Sequence, residues 1–171
     1  MNLTAVRDPE QIMRRHFLES ILCAQALPLG LRTLLDFGSG AGFPGLPIAI
    51  CRRDLAVTLA ESQTKKSAFL REALRSLGVA GSVHSGRAET LGRQFDCVTL
   101  RAVDKMEQAV RAASQLVCAS GWLAVMTTKS EGEKVERAAG CGFVWSPDTD
   151  LPGSEQRVLM LGHLTAAYLE R

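Results

Sequence analysis

Short apolar runs alternate with longer stretches in which apolar residues return every three or four positions, a rhythm that predicts strands separated by helices in an α/β sheet. Thr33 to Phe37, Ala56 to Ala60, Ser82 to Ser85, Phe95 to Leu100 and Gly121 to Thr127 read as strands, spaced for parallel βαβ crossovers. Helices are expected around Leu46 to Arg53 and over Thr64 to Leu77, Asp104 to Cys118 and Glu131 to Ala139. In the second of these, Phe69, Leu70, Ala73, Leu74 and Leu77 face inward and Gly78 is the stop. Phe143-Val144-Trp145 and Arg157 to Leu161 form a terminal strand pair whose direction periodicity does not settle, separated by the turn-rich Ser146 to Ser154. Ahead of the first strand, Asp8-Pro9-Glu10-Gln11 opens a helix, with Asp8 as cap and Pro9 in the first turn. Met13, Phe17 and Ile21, with Leu18 and Leu22, make its apolar stripe, and Pro28 and Gly30 end it. The expected molecule is a mostly parallel sheet of about seven strands with helices on both faces. A helical segment over 1–30 packs on a single globular unit over 31–171.

Composition narrows this picture. A chain of 171 residues buries roughly 70% of its unfolded surface and needs no disulfide or metal to hold a core. Hydrophobic residues at 46% and charged residues at 22% exclude a disordered chain. No apolar run approaches the ~18 residues of a membrane span, and the first ten residues hold Arg7, Asp8 and Glu10 rather than a signal sequence. Five scattered cysteines in apolar stretches suggest reduced, buried thiols in a cytoplasmic protein without a metal site. A net charge of +2 excludes a polycation and leaves room for a local basic patch. The unit is expected to work as a monomer.

The chemistry concentrates in Asp36-Phe37-Gly38-Ser39-Gly40-Ala41-Gly42-Phe43-Pro44-Gly45, between the first strand and a helix. Glycines at 38, 40 and 42 let the backbone pass close to a ligand where a Cβ would collide, and the helix start offers free N–H groups. A dinucleotide fingerprint wants glycine at 43, where Phe43 stands. The spacing acidic-x-Gly-x-Gly-x-Gly instead matches the nucleoside loop of S-adenosylmethionine-dependent methyltransferases. Glu61, 19 residues after Gly42 and closing the second strand, can accept hydrogen bonds from both ribose hydroxyls. The plainer alternative is a tight strand–helix turn beside a surface acid.

Further pieces keep a fixed order: Asn2-Leu3-Thr4-Ala5, Arg7-Asp8-Pro9, His16-Phe17, the Gly loop through Phe43-Pro44-Gly45, Glu61-Ser62, Lys65-Lys66, Phe69-Leu70, Gly86-Arg87-Ala88-Glu89 and Arg101-Ala102-Val103. Together, from residue 2 to about residue 125, they resemble the bacterial glucose-inhibited division protein B family, the small-subunit (16S) ribosomal RNA guanine-N7 methyltransferases. The resemblance implies a Rossmann-like class I methyltransferase fold, S-adenosylmethionine as cofactor and the small ribosomal subunit as partner. It places Gly38 and Phe43 in the cofactor pocket, Ala88 and Glu89 beside the adenine and Arg101 near the methionine end; with the loop and strand-tip reading, the candidate cofactor residues are Gly38, Ser39, Gly40, Gly42, Phe43, Glu61, Ser62, Ala88, Glu89 and Arg101. The chain departs from the family in showing Met126-Thr127-Thr128-Lys129 where Leu-Lys-Gly is usual, and in lacking a further helical segment ahead of Asn2 and a basic tail over His163 to Arg171.

Transfer to guanine N7 needs no general base, because N7 holds an exposed lone pair and no proton at neutral pH. Catalysis then rests on positioning, and Arg101 is the candidate to orient cofactor or base; a structural ion pair with Asp96 or Asp104 is its bland alternative. Lys65 and Lys66, in the first turn of a helix that Thr64 is expected to cap, oppose the helix dipole, a local misfit that suggests phosphate contacts. Arg14 and Arg15, beside His16, form a second basic cluster and Lys129 a third candidate. Competing readings are a methyltransferase of another substrate and a non-catalytic cofactor- or ribosome-binding remnant.

Overall fold

The computed structural model describes residues 8–165. The Asn2 to Arg7 pieces and residues 166–171 lie outside them. An eight-stranded sheet runs in the order β3-β2-β1-β4-β5-β8-β6, with β7 paired to β8 off that path. Its strands are β1 (Thr33–Phe37), β2 (Ala56–Ala60), β3 (Ser82–His84), β4 (Phe95–Arg101), β5 (Val117–Thr128), β6 (Phe143–Trp145), β7 (Thr149–Asp150) and β8 (Arg157–Leu164). β1 to β5 pair in parallel, and β8 runs antiparallel to β5, β6 and β7. That settles the terminal pair as antiparallel and adds the two-residue β7 inside the expected turn.

Alternation along each strand divides the core. Leu35, Val98, Leu123, Val125 and Met160 point to one face, against Val110 and Ala113 of α5 (Met106–Ser114) and Val135, Ala138 and Ala139 of α6 (Gly132–Ala139). Leu34, Cys97, Ala124, Met126 and Leu159 point to the other, against α2 (Glu19–Ala26), α3 (Gly45–Cys51) and α4 (Thr64–Leu77). Neighbouring residues of one strand therefore serve opposite layers, as a period of two requires.

Several boundaries move for physical reasons. β5 starts at Val117, not Gly121, and α5 stops at Ser114. An irregularity between Phe95 and Cys97 lets Val117 pair with Phe95 while Trp122 pairs with Cys97, with Ser120 taking up the slack at φ +59°. The N-terminal helix is broken into α1 (Pro9–Ile12), a π-helical segment over Met13–Leu18, and α2. Asp8 does cap it, accepting the Glu10 N–H at 3.3 Å. The wider π turns shift the helical phase, so the expected stripe fails: Met13 and Leu18 are exposed, and Glu19, Ser20, Cys23 and Ala24 are buried instead. α4 keeps its expected bounds, with Leu70 and Leu74 buried but Leu77 exposed. It starts at Thr64 after Gln63, without a side-chain cap. The thiols also split: Cys23 and Cys97 are buried, Cys118 half-buried, Cys51 and Cys141 exposed. Among the described residues no helix is long and apolar enough to cross a membrane, and no His/Cys/Asp/Glu group has metal-binding geometry.

Candidate functional site

Parallel strands end together at one edge of the sheet, where open α/β folds bind ligands. A cavity of about 330 Å3 opens there, lined by Phe37 and Gly38 after β1, Ala60, Glu61 and Ser62 after β2, Gly86, Arg87, Ala88 and Glu89 after β3, and Asp104 after β4. Five of the sequence-predicted cofactor residues (Gly38, Glu61, Ser62, Ala88 and Glu89) meet in that wall. Glu61 is buried, and its Oε2 accepts the Gly40 N–H at 3.0 Å while Oε1 accepts the Gln63 N–H at 2.7 Å. A carboxylate oxygen has more than one lone pair, so both oxygens can still receive hydroxyls from the cavity. Gly38 is bare for cause: at φ +72° a Cβ would press on Val103 Cγ1 at 2.9 Å. These features fit a nucleoside with a vicinal diol.

The other loop residues build the turn rather than the wall. Ser39 donates its hydroxyl to the Asp36 carbonyl at 3.0 Å and its N–H to Ala60 O. A Cβ on Gly42 would strike Leu46 Cδ1 at 2.3 Å. Asp36 lies wholly under the loop, its carboxylate accepting the Gly45 N–H and the Thr99 hydroxyl, both at 3.1 Å; burial pushes it up to about 6. A Cβ on Gly45 would stand 2.3 Å from Leu59 Cδ2 and 2.5 Å from Asp36 Oδ2, neither free to move. Gly45→Ala should therefore cost about 1–3 kcal/mol. An unchanged melting temperature would contradict this packing.

Phe43 turns from the cavity to the N-terminal helix. Its ring stacks on His16 at 5.1 Å between centroids and meets Phe17 edge-on at 5.0 Å. Arg101 reaches the same helix. It donates from Nη1 to His16 Nδ1 at 2.8 Å and from Nη2 to Glu19 at 3.1 Å and to the Arg15 carbonyl. Arg101 does make an ion pair, the alternative to its orienting role, but with Glu19 rather than with Asp96 or Asp104. Asp96 instead accepts the Arg32 and Thr33 N–H groups. Burial first, then the neighbouring Arg101, push His16 down to about 4. Because its folded value lies below the ordinary 6.5, the stability this neutral imidazole gives is full above pH 6.5 and is lost as pH falls through about 4. An NMR titration of His16 should show a midpoint near that value; a midpoint above 6 would break the placement.

A second cavity of about 250 Å3 sits beside the first, lined by Arg15, Glu19, Arg101, Ala102, Met106, Met126, Thr127, Thr128, Glu131, Leu151 and Arg157. The stretch from Arg101 to Asp104 stands between the two, since Arg101 and Ala102 line one and Asp104 the other. Ala102 within it, at φ +47°, and Lys105 just after it, at φ +54°, are in left-handed backbone, which alanine and lysine adopt only under constraint. Glu19 and Arg157 are the site residues sequence reasoning missed. Glu19, only 1% exposed, pairs through one oxygen with Arg101 and through the other with Arg157. The signal was an acid inside the apolar run Phe17 to Leu22, since acids are rarely buried unless paired.

The candidate RNA cations are spread around this edge. Lys65 is exposed and Lys66 half-buried in the first turn of α4, which follows the wall residues Glu61 and Ser62. Arg15 reaches the second cavity. Arg14 pairs with Glu10 at 2.9 Å, and Lys129 with Asp150 at 2.8 Å.

Comparison with known proteins matches residues 1–150 to the family described as rRNA small subunit methyltransferase G. "Ribosomal RNA small subunit methyltransferase G" of Roseiflexus sp. (strain RS-1) is 37% identical over 94% of the chain and 74% of its own length. The protein of that name from Stenotrophomonas maltophilia (strain K279a) is 41% identical over 73% of the chain, which spans 59% of that relative. Among solved structures, P. horikoshii TYW2 in complex with MeSAdo superposes with a TM-score of 0.73 at 15% identity, over 94% of this chain and 65% of that one. A SAM-dependent O-methyltransferase from Thermotoga maritima gives 0.71 at 12% identity, over 97% and 69%. These two establish the fold alone.

Proposed function

Because the chain belongs to the rRNA small subunit methyltransferase G family, we propose that it transfers a methyl group from S-adenosylmethionine to N7 of a guanine in 16S rRNA. The observation that carries this reading is the pair of adjoining cavities at one sheet edge, one walled by Gly38, Glu61, Ala88 and Glu89, the other by Arg15, Arg101 and Thr127.

Each wall has a task. Glu61 receives the ribose hydroxyls, Ala88 and Glu89 lie against the adenine, and Gly38 keeps the backbone low beneath the nucleoside. When bound, the cofactor supplies a methyl carbon made electrophilic by its sulfonium. The stretch from Arg101 to Asp104 sets the spacing between the two compartments. Arg101, with its donors fastened to the N-terminal helix, keeps that helix over the second cavity. The floor of Met106, Met126 and Leu151 suits the flat face of a base and excludes water. No side chain has to remove a proton, because N7 attacks through its lone pair; what the chain supplies is alignment.

The RNA is held outside the cavities. Lys65, Lys66 and Arg15 are the phosphate contacts, and Lys129 and Arg14 join once their surface ion pairs, worth at most about 1 kcal/mol, are exchanged for phosphate. A narrow A-form major groove hides N7, so the guanine enters from a loop or splayed out of its stack. The ribosomal substrate puts the reaction in the cytoplasm, and the proposed working unit is a monomer.

Undermethylated small subunits incubated with the protein and methyl-labelled S-adenosylmethionine should gain label at guanine N7. Label at another atom or none, from folded protein that binds the cofactor, would overturn the reading.

A further inference from the structure

Three arginines line the second cavity, and two of them, Arg101 and Arg157, share Glu19 in different states. Arg101 spends Nη1 on His16 and Nη2 on Glu19 and the Arg15 carbonyl. Arg157, at the start of β8, pairs with the other Glu19 oxygen, while its buried Nε meets no acceptor. Glu19 thus seats both guanidiniums; three of the five N–H donors of Arg101 are engaged, while among the described residues the Arg157 guanidinium meets Glu19 alone. Around it, Met106, Met126 and Leu151 give apolar walls and Thr127 and Thr128 polar ones. Arg157 lines the compartment assigned to the acceptor base with its side chain 21% exposed, so a guanidinium with unengaged N–H groups borders that compartment.

We propose that Arg157, held in place by Glu19, donates a hydrogen bond to O6 of the target guanine and so turns the neighbouring N7 towards the first cavity. This rests on the reading given above. Guanine offers two acceptors on that edge, N7 and O6; when N7 must stay free to react, O6 is the one left to hold. Adenine carries an amino group at the same place, so it would set donor against donor and be refused. The contact orients the base rather than stabilising charge, because the ring itself becomes cationic on methylation. Glu19 and Glu131 offset two of the three guanidiniums that line the compartment and so lessen its repulsion of that charge. Glu19 is a positioning residue, and Arg157 touches the substrate.

The experiment uses the full chain, with undermethylated small subunits carrying either guanine or 2-aminopurine, which lacks O6, at the target. Arg157→Gln should bind S-adenosylhomocysteine as the unaltered protein does but lose about 10- to 100-fold in kcat on guanine. The unaltered protein should lose a similar factor on 2-aminopurine, and the two losses should not add. Arg157→Lys, which keeps a charge for Glu19 but lacks the planar guanidinium that can hold Glu19 and reach the base together, should show the same indifference to O6, and it serves if Arg157→Gln folds poorly. A purely structural Arg157 would lower thermal stability but leave kcat and KM unchanged; that result, or additive losses, overturns the inference. Absence of guanine-N7 label with the unaltered protein would instead refute the function it rests on.

Discussion

Glu61→Ala should weaken S-adenosylhomocysteine binding by ~100-fold in calorimetry, while the fold persists. Hydrogen bonds to a charged group are worth about 1.5–3 kcal/mol each, and this carboxylate is assigned two from the ribose. It also fixes the Gly40 N–H at 3.0 Å and the Gln63 N–H at 2.7 Å, so its loss loosens the loop that shapes the cavity. The freed N–H groups are near enough to solvent for water to take over, which is why affinity suffers more than stability. Glu61→Gln should fall between the two, since the amide keeps one acceptor oxygen. Unchanged affinity in Glu61→Ala would remove the acid from the nucleoside site.

The largest effect on stability is expected at Glu19. Glu19→Ala leaves Arg101 and Arg157 facing each other, with side chains 13% and 21% exposed and no carboxylate between them. Removing one partner from such a buried cluster costs about 3–5 kcal/mol. Glu10→Ala breaks an i,i+4 pair with Arg14 whose side chains are 72% and 59% exposed, and should cost under about 1 kcal/mol. Both are carboxylates paired with arginine from the same end of the chain, so the comparison sets a buried two-arginine cluster against one exposed pair. Equal melting temperatures for the two variants would contradict the cluster. Burial raises the Glu19 carboxyl above its ordinary value, and the two guanidiniums beside it oppose that rise.

Much of this was written locally in the chain. β1 and β2 end where their apolar runs end, and α4 runs from Thr64 to the left-handed Gly78 as its periodicity requires. The glycine spacing, with Glu61 at the next strand tip, located the first cavity, because strand ends and tight turns are short-range features. The second cavity was not legible in the same way. Arg101 and Glu19 meet across 82 residues of separation, and Arg157 joins them only because β8 doubles back antiparallel on β5. The π-helical turns over Met13–Leu18 also rotated the N-terminal helix, so a stripe read at spacing four named the wrong inward face. Gly42 and Phe43 carry the loop's recognisable pattern, yet one serves packing against Leu46 and the other the contact with His16.

The most direct test is the structure of the protein bound to S-adenosylhomocysteine. The ribose hydroxyls should lie on Glu61, the adenine against Ala88 and Glu89, and the sulfur should face the Arg101–Asp104 stretch and the cavity beyond it. A nucleoside bound elsewhere, or seated there with its sulfur turned away from Arg101 and Arg157, would contradict the two-compartment account.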